Sequence, residues 1–302
     1  MHNITISKYW NSIHSKIIQD RTPILVGKIG ATESLFVSYY LQKLPITNRH
    51  NLWFASGVFC KSDDSFYEWC ESYINGIRAC NYIHLWQNYC FIRSKQKNLL
   101  ERVENGQTDG FLIRQLIPKN LLHRPISAPH DDWLPLYLGD KGWHYKLQNT
   151  RVLVVSSAQK TFEKQAQIYH NLWPGAKLGG FEFVKVPQSE LLTNENLNNP
   201  LDWKDKVDMV QKEILGKDFD FAMIGCGGIG LIIADFIKNT MNKPCTYLGG
   251  TLQLFFGIRG NRWEKNKLEF YNSNKYWTHF DDEDTPKNYM QFENGGYWTN
   301  SK

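Results

Sequence analysis

Apolar residues follow two rhythms along this chain. Over residues 4–20, Ile6, Trp10, Ile13 and Ile17 recur three to four apart, the spacing of one helix face. After Pro23, ILVGKIG (24–30) is a short apolar run ending in a glycine turn, as a buried strand would be. ATESLFVSYYLQKL (31–44) resumes helical spacing, with Thr32 placed to cap the helix and Glu33 in its first turn. The second half repeats the alternation. RVLVVSS (151–157), FEFVKVP (181–187), FDFAMIG (219–225) and PCTYLGG (244–250) read as strands. Amphipathic stretches at 158–173, 203–218 and 231–241 lie between them as helices. Strands alternating with helices predict an α/β fold, a Rossmann-like, mainly parallel sheet with helices on both faces. The strands near 24–29, 151–156, 182–186, 220–224 and 245–248 should lie in it, buried on both sides because their apolar runs do not alternate.

The middle of the chain fits this pattern less directly. Residues 51–122 are rich in aromatics, and Phe66, Trp69, Tyr73 and Ile77 fall at helical spacing. Residues 82–92 suit a strand or a buried helix equally, and the proline-rich stretch 124–143 reads as a long loop or linker. The expectation is one domain over 1–302, with 50–125 as a helical, aromatic-rich insertion or subdomain. With 42% hydrophobic and 22% charged residues, the composition excludes a disordered or fibrous chain. No apolar run reaches the roughly 18 residues of a membrane span. The first residues lack the apolar core of a signal peptide, and six cysteines are too few for a disulfide scaffold, so a cytoplasmic location is expected. A net charge of +5, spread along the chain, suits an anionic small ligand or an anionic membrane surface and does not call for nucleic acid.

The sharpest motif is Gly225-Cys226-Gly227-Gly228-Ile229-Gly230, with G-x-G-x-x-G spacing between a strand and a helix. Glycines there permit a tight turn and close backbone approach, and the helix N-terminus offers N–H groups to a phosphate. The same glycines also suit plain helix–strand packing. A nicotinamide enzyme would want an acidic residue at the end of the next strand, but that strand ends Tyr247-Leu248-Gly249-Gly250. A nucleotide or phosphate site is therefore favoured over a dinucleotide oxidoreductase. Gly249-Gly250-Thr251-Leu252-Gln253 forms a second turn, and Arg259, Arg262 and Trp263 follow it. Two guanidinium groups and a ring would suit a diphosphate and its base or sugar, although a solvated loop with a core-anchored Trp fits as well. In the first turn, Gly30-Ala31-Thr32-Glu33, the acid suits a helix cap or a group holding a sugar hydroxyl, a metal or an acceptor proton. Ser156 and Ser157 close the strand RVLVVSS and suit helix caps or, alternatively, a bond to a phosphate. His130-Asp131-Asp132 reads as a solvated turn and Asp281–Asp284 as a solvated acidic patch. Cys60, Cys70, Cys80 and Cys90, ten residues apart, match no zinc spacing and read as core thiols.

The stretch Phe219 to Trp263, FDFAMIGCGGIGLIIADFIKNTMNKPCTYLGGTLQLFFGIRGNRW, resembles the C-terminal block of GT-D-type glycosyltransferases of bacterial surface-polysaccharide clusters. RVLVVSSAQKTFEKQAQIYHNLWPG and the tail's Tyr276-Trp277, Thr285–Tyr289 and Gly295–Trp298 extend the likeness. The resemblance implies a nucleotide-sugar donor and a hydroxyl acceptor, a saccharide or lipid-linked saccharide, with peripheral association at the inner face of the membrane. It carries over Glu33 as the acidic residue and Gly225, Gly227, Gly228, Gly249 and Gly250 on the phosphate side; an inverting mechanism would need a general base, for which Glu33 is the candidate, and Gly30 is a further donor-binding candidate. Gln253, Arg259, Arg262 and Trp263 join them as donor-binding candidates. The family's Asp-x-Glu pair is linked to a divalent metal, Mn or Mg. Here Ala31 holds the Asp position, so a metal at Glu33 would need its second ligand from elsewhere. A non-catalytic nucleotide-binding or regulatory module is the alternative from a different class.

Overall fold

Among the described residues, six strands run parallel in one sheet. They are β1 (Leu25–Lys28), β2 (Tyr82–His84), β3 (Arg151–Ser156), β4 (Gly180–Lys185), β5 (Phe221–Gly225) and β6 (Cys245–Tyr247). Their order across the sheet is β2-β1-β6-β5-β3-β4. This computed structural model describes residues 4–46, 49–84, 115–118, 131–176, 179–265, 274–292 and 294–298. Every strand expected from the sequence is present, and all described pairings are parallel.

Both faces of the sheet are covered, which is why its strands read as unbroken apolar runs. Leu153 and Val155 of β3 enter one core, and Val152 and Val154 enter the other. The first core packs α2 (Ala31–Leu41), α4 (Asp63–Ala79), α6 (Trp203–Leu215) and α7 (Gly230–Asn239) against the sheet. The second packs α1 (Ile4–Asp20), α5 (Gln159–Gln167) and the short α8 (Leu252–Phe255). Trp10, Ile13 and Ile17 of α1 are buried as their spacing predicts. Helix α3 (Arg49–Ser56) lies beside α2.

Two regions differ from expectation. The described part of 50–125 belongs to the main sheet layer and does not form an appended unit. Ser62 caps α4 by accepting from Ser65 N at 3.1 Å, and Phe66, Trp69, Tyr73 and Ile77 bury one face. Gly76 lets α4 approach α7 so closely that a Cβ there would meet the Leu231 carbonyl at 2.8 Å. Strand β2 then pairs with β1 and is the outermost described strand on that side. Such a short strand is invisible to periodicity, and the rest of 82–92 lies outside the described residues. Likewise, 131–145 is a packed 3₁₀ segment and no linker, with Trp143 buried and stacked on His14 at 4.8 Å.

The topology also fixes where a ligand can enter. From β3 the chain moves to the neighbouring edge strand β4 through α5. From β5 it moves the opposite way to β6 through α7, on the other face. Neighbouring strands whose connections leave in opposite directions open a crevice at their carboxyl ends.

Candidate active site

That crevice is a cleft of about 420 Å³. Five strand ends contribute to it, through Lys28 to Glu33 after β1, Ser156–Ala158 after β3, Val186–Ser189 after β4, Gly225–Gly227 after β5, and Tyr247, Gly249 and Gly250 after β6. Phe54–Gly57 and parts of the 280–298 tail close its sides.

The β1–α2 turn delivers the charged groups. Gly30 is the N-cap of α2, in extended backbone, and no side chain caps the helix, so Thr32 does not have the role its position suggests. The Gly30 N–H donates to the Tyr73 hydroxyl at 3.2 Å. Glu33 curls back so that its carboxyl lies over the Gly30 Cα, in space that any side chain at residue 30 would need. The carboxyl is buried, and burial pushes its pKa up. Its own backbone N–H, the Ser56 hydroxyl and the Lys28 ammonium pull the other way without cancelling the rise. Ser56 Oγ stands near enough to favour the anion, although it makes no hydrogen bond of ordinary geometry. Lys28 leaves β1 and crosses to the β6 turn, where Nζ donates to the Leu248 carbonyl at 2.9 Å and to Thr251 Oγ1 at 3.3 Å.

The two glycine turns shape the cleft more than they equip it. Gly227 (φ +57°) and Gly249 (φ +55°) adopt left-handed backbone that favours glycine. At Gly227 a Cβ would also meet the Ser56 carbonyl at 2.6 Å. Gly230 lies against the Tyr247 ring and Gly250 against the Tyr297 ring. Tyr247 is buried, and burial followed by the nearby Glu33 holds its phenol pKa well above the ordinary value. It therefore keeps its proton, which it donates to the Gly227 carbonyl at 2.9 Å. This tyrosine ties the β6 end to the fingerprint turn.

Of the residues singled out by sequence, Glu33, Gly30, Gly225, Gly227, Gly249, Gly250, Gln253 and Arg262 line the cleft. Arg262 reaches it flat over the Tyr297 ring, 4.3 Å from the centroid, and donates to the Tyr297 hydroxyl at 2.6 Å. Gln253 is buried, and its Nε2 donates to the Ile258 carbonyl at 3.3 Å, so it braces the turn. Three expectations are corrected. Trp263 is 1% exposed in the second core and cannot stack on a ligand. Arg259 lies outside the cleft, with its N–H bonded to the Thr278 carbonyl at 2.6 Å. Gly228 packs under Val58 and Ser56, and its carbonyl accepts from Trp69 Nε1 at 3.1 Å. The aromatic surface of the cleft is instead Phe54, Phe280, Phe292, Tyr297 and Trp298.

The acidic run 281–284 is solvated in part, at the exposed Asp282 and Glu283, and its last residue is a clamp. Asp284 is 2% exposed and accepts from both the N–H and the hydroxyl of Thr161 at 2.6 Å, capping α5 from outside. Glu283 pairs with Lys160 and Asp281 with Lys164 on the same helix. Ser156 and Ser157 line the cleft, and neither caps α5, whose first residue follows Ala158. Cys70 and Cys80 are buried thiols, Cys60 is half-buried and Cys90 lies outside the described residues, as do His130 and the side chains of Asp131 and Asp132. A further residue pair had no sequence signal. Lys206 of α6 lines the cleft from within the core and is paired at 2.9 Å with Glu190.

The described side chains of the cleft do not gather the ligands of a divalent ion. Among the described residues, no three His, Cys, Asp or Glu side chains come together. The cleft's described carboxyls are Glu33 and Asp284, and Asp284 Oδ2 is taken up by Thr161. Among the described residues, Glu33 has Lys28, and no second carboxylate, as its charged neighbour.

No family profile matches this chain. No curated protein matches it either. Among solved structures, it is similar to a selenomethionine-substituted domain of unknown function, DUF1792, at 9% identity with a TM-score of 0.43, over 95% of this chain and 97% of that one.

Proposed function

We propose that this chain is a glycosyltransferase. It takes a sugar from a nucleotide-sugar donor, UDP-linked in the first instance, and passes it to a hydroxyl of a saccharide acceptor in surface-polysaccharide or glycoconjugate synthesis. The observation that carries this reading is the meeting, in one cleft, of an acid and a cation from the β1–α2 turn with the two glycine turns. Its volume falls within the roughly 300–1,000 Å³ of small-ligand sites. Phosphates would sit toward Lys28, the turns at 225–227 and 249–250, and Arg262, where fixed dipoles and charges stabilise a departing diphosphate. The base or sugar would pack on the aromatic surface around Tyr297 and Trp298.

In an inverting transfer, the acceptor oxygen bonds to the sugar's anomeric carbon as the bond from that carbon to the diphosphate oxygen breaks. The diphosphate leaves with the bonding pair, and the acceptor's hydroxyl proton goes to Glu33. A buried carboxyl with a raised pKa is a stronger base once ionised, which is the tuning general-base catalysis uses. A lipid-linked acceptor would bring the protein to the inner face of the membrane, where its net charge of +5 suits anionic lipid. No described helix is long and apolar enough to cross a membrane.

The test is a panel of radiolabelled UDP-, GDP- and dTDP-sugars, offered with and without saccharide acceptors. Transfer, or slow donor hydrolysis lost in Glu33→Gln, supports the reading. Tight binding of a nucleoside diphosphate with neither transfer nor hydrolysis would make the chain a nucleotide-binding module instead.

A further inference from the structure

Asp284 meets the cleft with one of its two carboxylate oxygens. The residue is 2% exposed and lines the end of the cleft built by the turns after β3 and β4. Its Oδ2 accepts from both the N–H and the hydroxyl of Thr161 at 2.6 Å. The Thr161 hydroxyl in turn accepts from the Asp281 N–H at 3.0 Å, so its own proton is committed to Asp284. The Asp284 carbonyl accepts from Gln188 Nε2 at 3.1 Å, which ties the residue to the β4 end as well. Among the described residues, Oδ1 accepts no hydrogen bond, and it is not sealed from solvent. A carboxylate held by one oxygen and open at the other is an acceptor of fixed aim. Lys206 also lines the cleft, and its ammonium is given to Glu190 at 2.9 Å. Around Asp284 the lining is apolar: Phe162 beside Thr161, Phe280 against Phe162 at 6.5 Å, Pro286, and Val186 and Pro187 just before Gln188.

Resting on the glycosyltransferase reading above, we infer that this end of the cleft is the acceptor subsite, that it takes a neutral, hydroxyl-rich saccharide, and that Asp284 Oδ1 accepts from one of its hydroxyls. That reading assigns the donor's diphosphate to the turns after β1, β5 and β6, which leaves the β3 and β4 turns to the acceptor. A sugar ring has apolar C–H faces and a rim of hydroxyl donors. An apolar pocket with a few placed polar groups matches both features. A carboxylate accepts hydrogen bonds and cannot donate them, so it selects hydroxyls. A uronic acid would bring a second negative charge to the same place, where partial burial strengthens the repulsion. The hydroxyl read by Asp284 is not the reacting one, whose proton goes to Glu33. Asp284 fixes which saccharide enters and how its ring is turned.

The experiment is saturation-transfer NMR on the full chain with methyl glucoside, methyl galactoside and methyl glucuronide, alone and with saturating UDP, GDP, CDP or ADP. The inference predicts that a neutral glycoside binds, that it stays bound when a nucleoside diphosphate occupies the cleft, and that the glucuronide binds about 10-fold more weakly or worse. Asp284→Asn keeps a carbonyl oxygen for Thr161 and places an NH₂ group where Oδ1 stands. It should weaken the neutral glycoside by about 10-fold or more, the worth of a hydrogen bond to a charged group, and narrow its lead over the glucuronide. Four results overturn the inference: no glycoside binding, equal affinity for glucoside and glucuronide, displacement of the glycoside by the diphosphate, or native glycoside affinity in Asp284→Asn. Any of them with a diphosphate bound leaves the nucleotide reading intact. If none of the four diphosphates binds, that reading falls, and the acceptor assignment falls with it. The comparison of glucoside with glucuronide uses the native chain, so it decides the question even if Asp284→Asn does not fold.

Discussion

The β1–α2 turn and the fingerprint turn after β5 both carry glycines and both open onto the same cleft, yet they do different work. In the fingerprint turn the glycines answer to the protein itself: Gly227 to Ser56, Gly228 to Val58, Gly230 to Tyr247. In the β1–α2 turn, Gly30 gives up its side-chain space to the Glu33 carboxyl, and Lys28 carries a positive charge across to β6. A G-x-G-x-x-G pattern thus marks where backbone must come close to something, and here much of that something is a tyrosine, a serine and a valine. The acid and the cation of the cleft come from a turn with a far weaker sequence signal.

The largest effect expected from this contrast is chemical. Glu33→Gln preserves size and can still meet the backbone N–H, so the turn should keep its shape. Turnover should fall by about 10²–10⁴-fold, the usual contribution of a general base. A variant that transfers sugar at the native rate would reduce Glu33 to a structural acid. The second effect is on the fold. Gly230→Val drives a branched side chain into the buried Tyr247 ring and should cost about 3 kcal/mol or more, measured by urea unfolding. A native unfolding midpoint in that variant would return the fingerprint glycines to ligand binding alone.

A smaller loss tests the clamp that closes the cleft on its far side. Asp284→Ala leaves the Thr161 N–H and hydroxyl without their acceptor at the start of α5, at a cost of about 1–3 kcal/mol. If stability is unchanged, the tail does not hold that wall. The smallest effect is a pH slope. Because burial raises the Glu33 pKa in the folded protein, the native state holds that proton more tightly than the unfolded chain, whose carboxyl titrates near the ordinary value of 4.5. This group's contribution therefore becomes less favourable as pH rises through 4.5 toward the folded pKa. Glu33→Gln removes that penalty, so the variant's melting temperature should gain on the native protein's between acid and neutral pH. Parallel curves would mean that the carboxyl is not buried at a cost.

The sheet was legible because a strand covered on both faces must be written in unbroken apolar residues, as RVLVVS and FAMIG are. Strand β2 was not, because three residues carry no period. Glu33, Gly227 and Gly249 could be placed at the cleft from the strand–turn–helix order alone. Trp263 could not be told from a stacking residue, since a Trp beside an Arg has the same sequence whether it faces a ligand or the core. Lys28 gave no signal because a lysine at a strand end is ordinarily solvated. The turn after the parallel neighbour β6, distant in sequence, supplies a carbonyl and a hydroxyl that hold it. Asp281–Asp284 misled for a similar reason: its partners Lys160, Thr161 and Lys164 lie more than a hundred residues away.

Hydrogen exchange on the full chain, with and without saturating UDP, GDP, CDP or ADP, tests the central claim most directly. The account predicts that one of these diphosphates slows exchange together at residues 28–33, 225–230 and 249–253, three segments distant in sequence that meet in one cleft. Protection confined to other parts of the sheet, or no protection by any of the four, would contradict it.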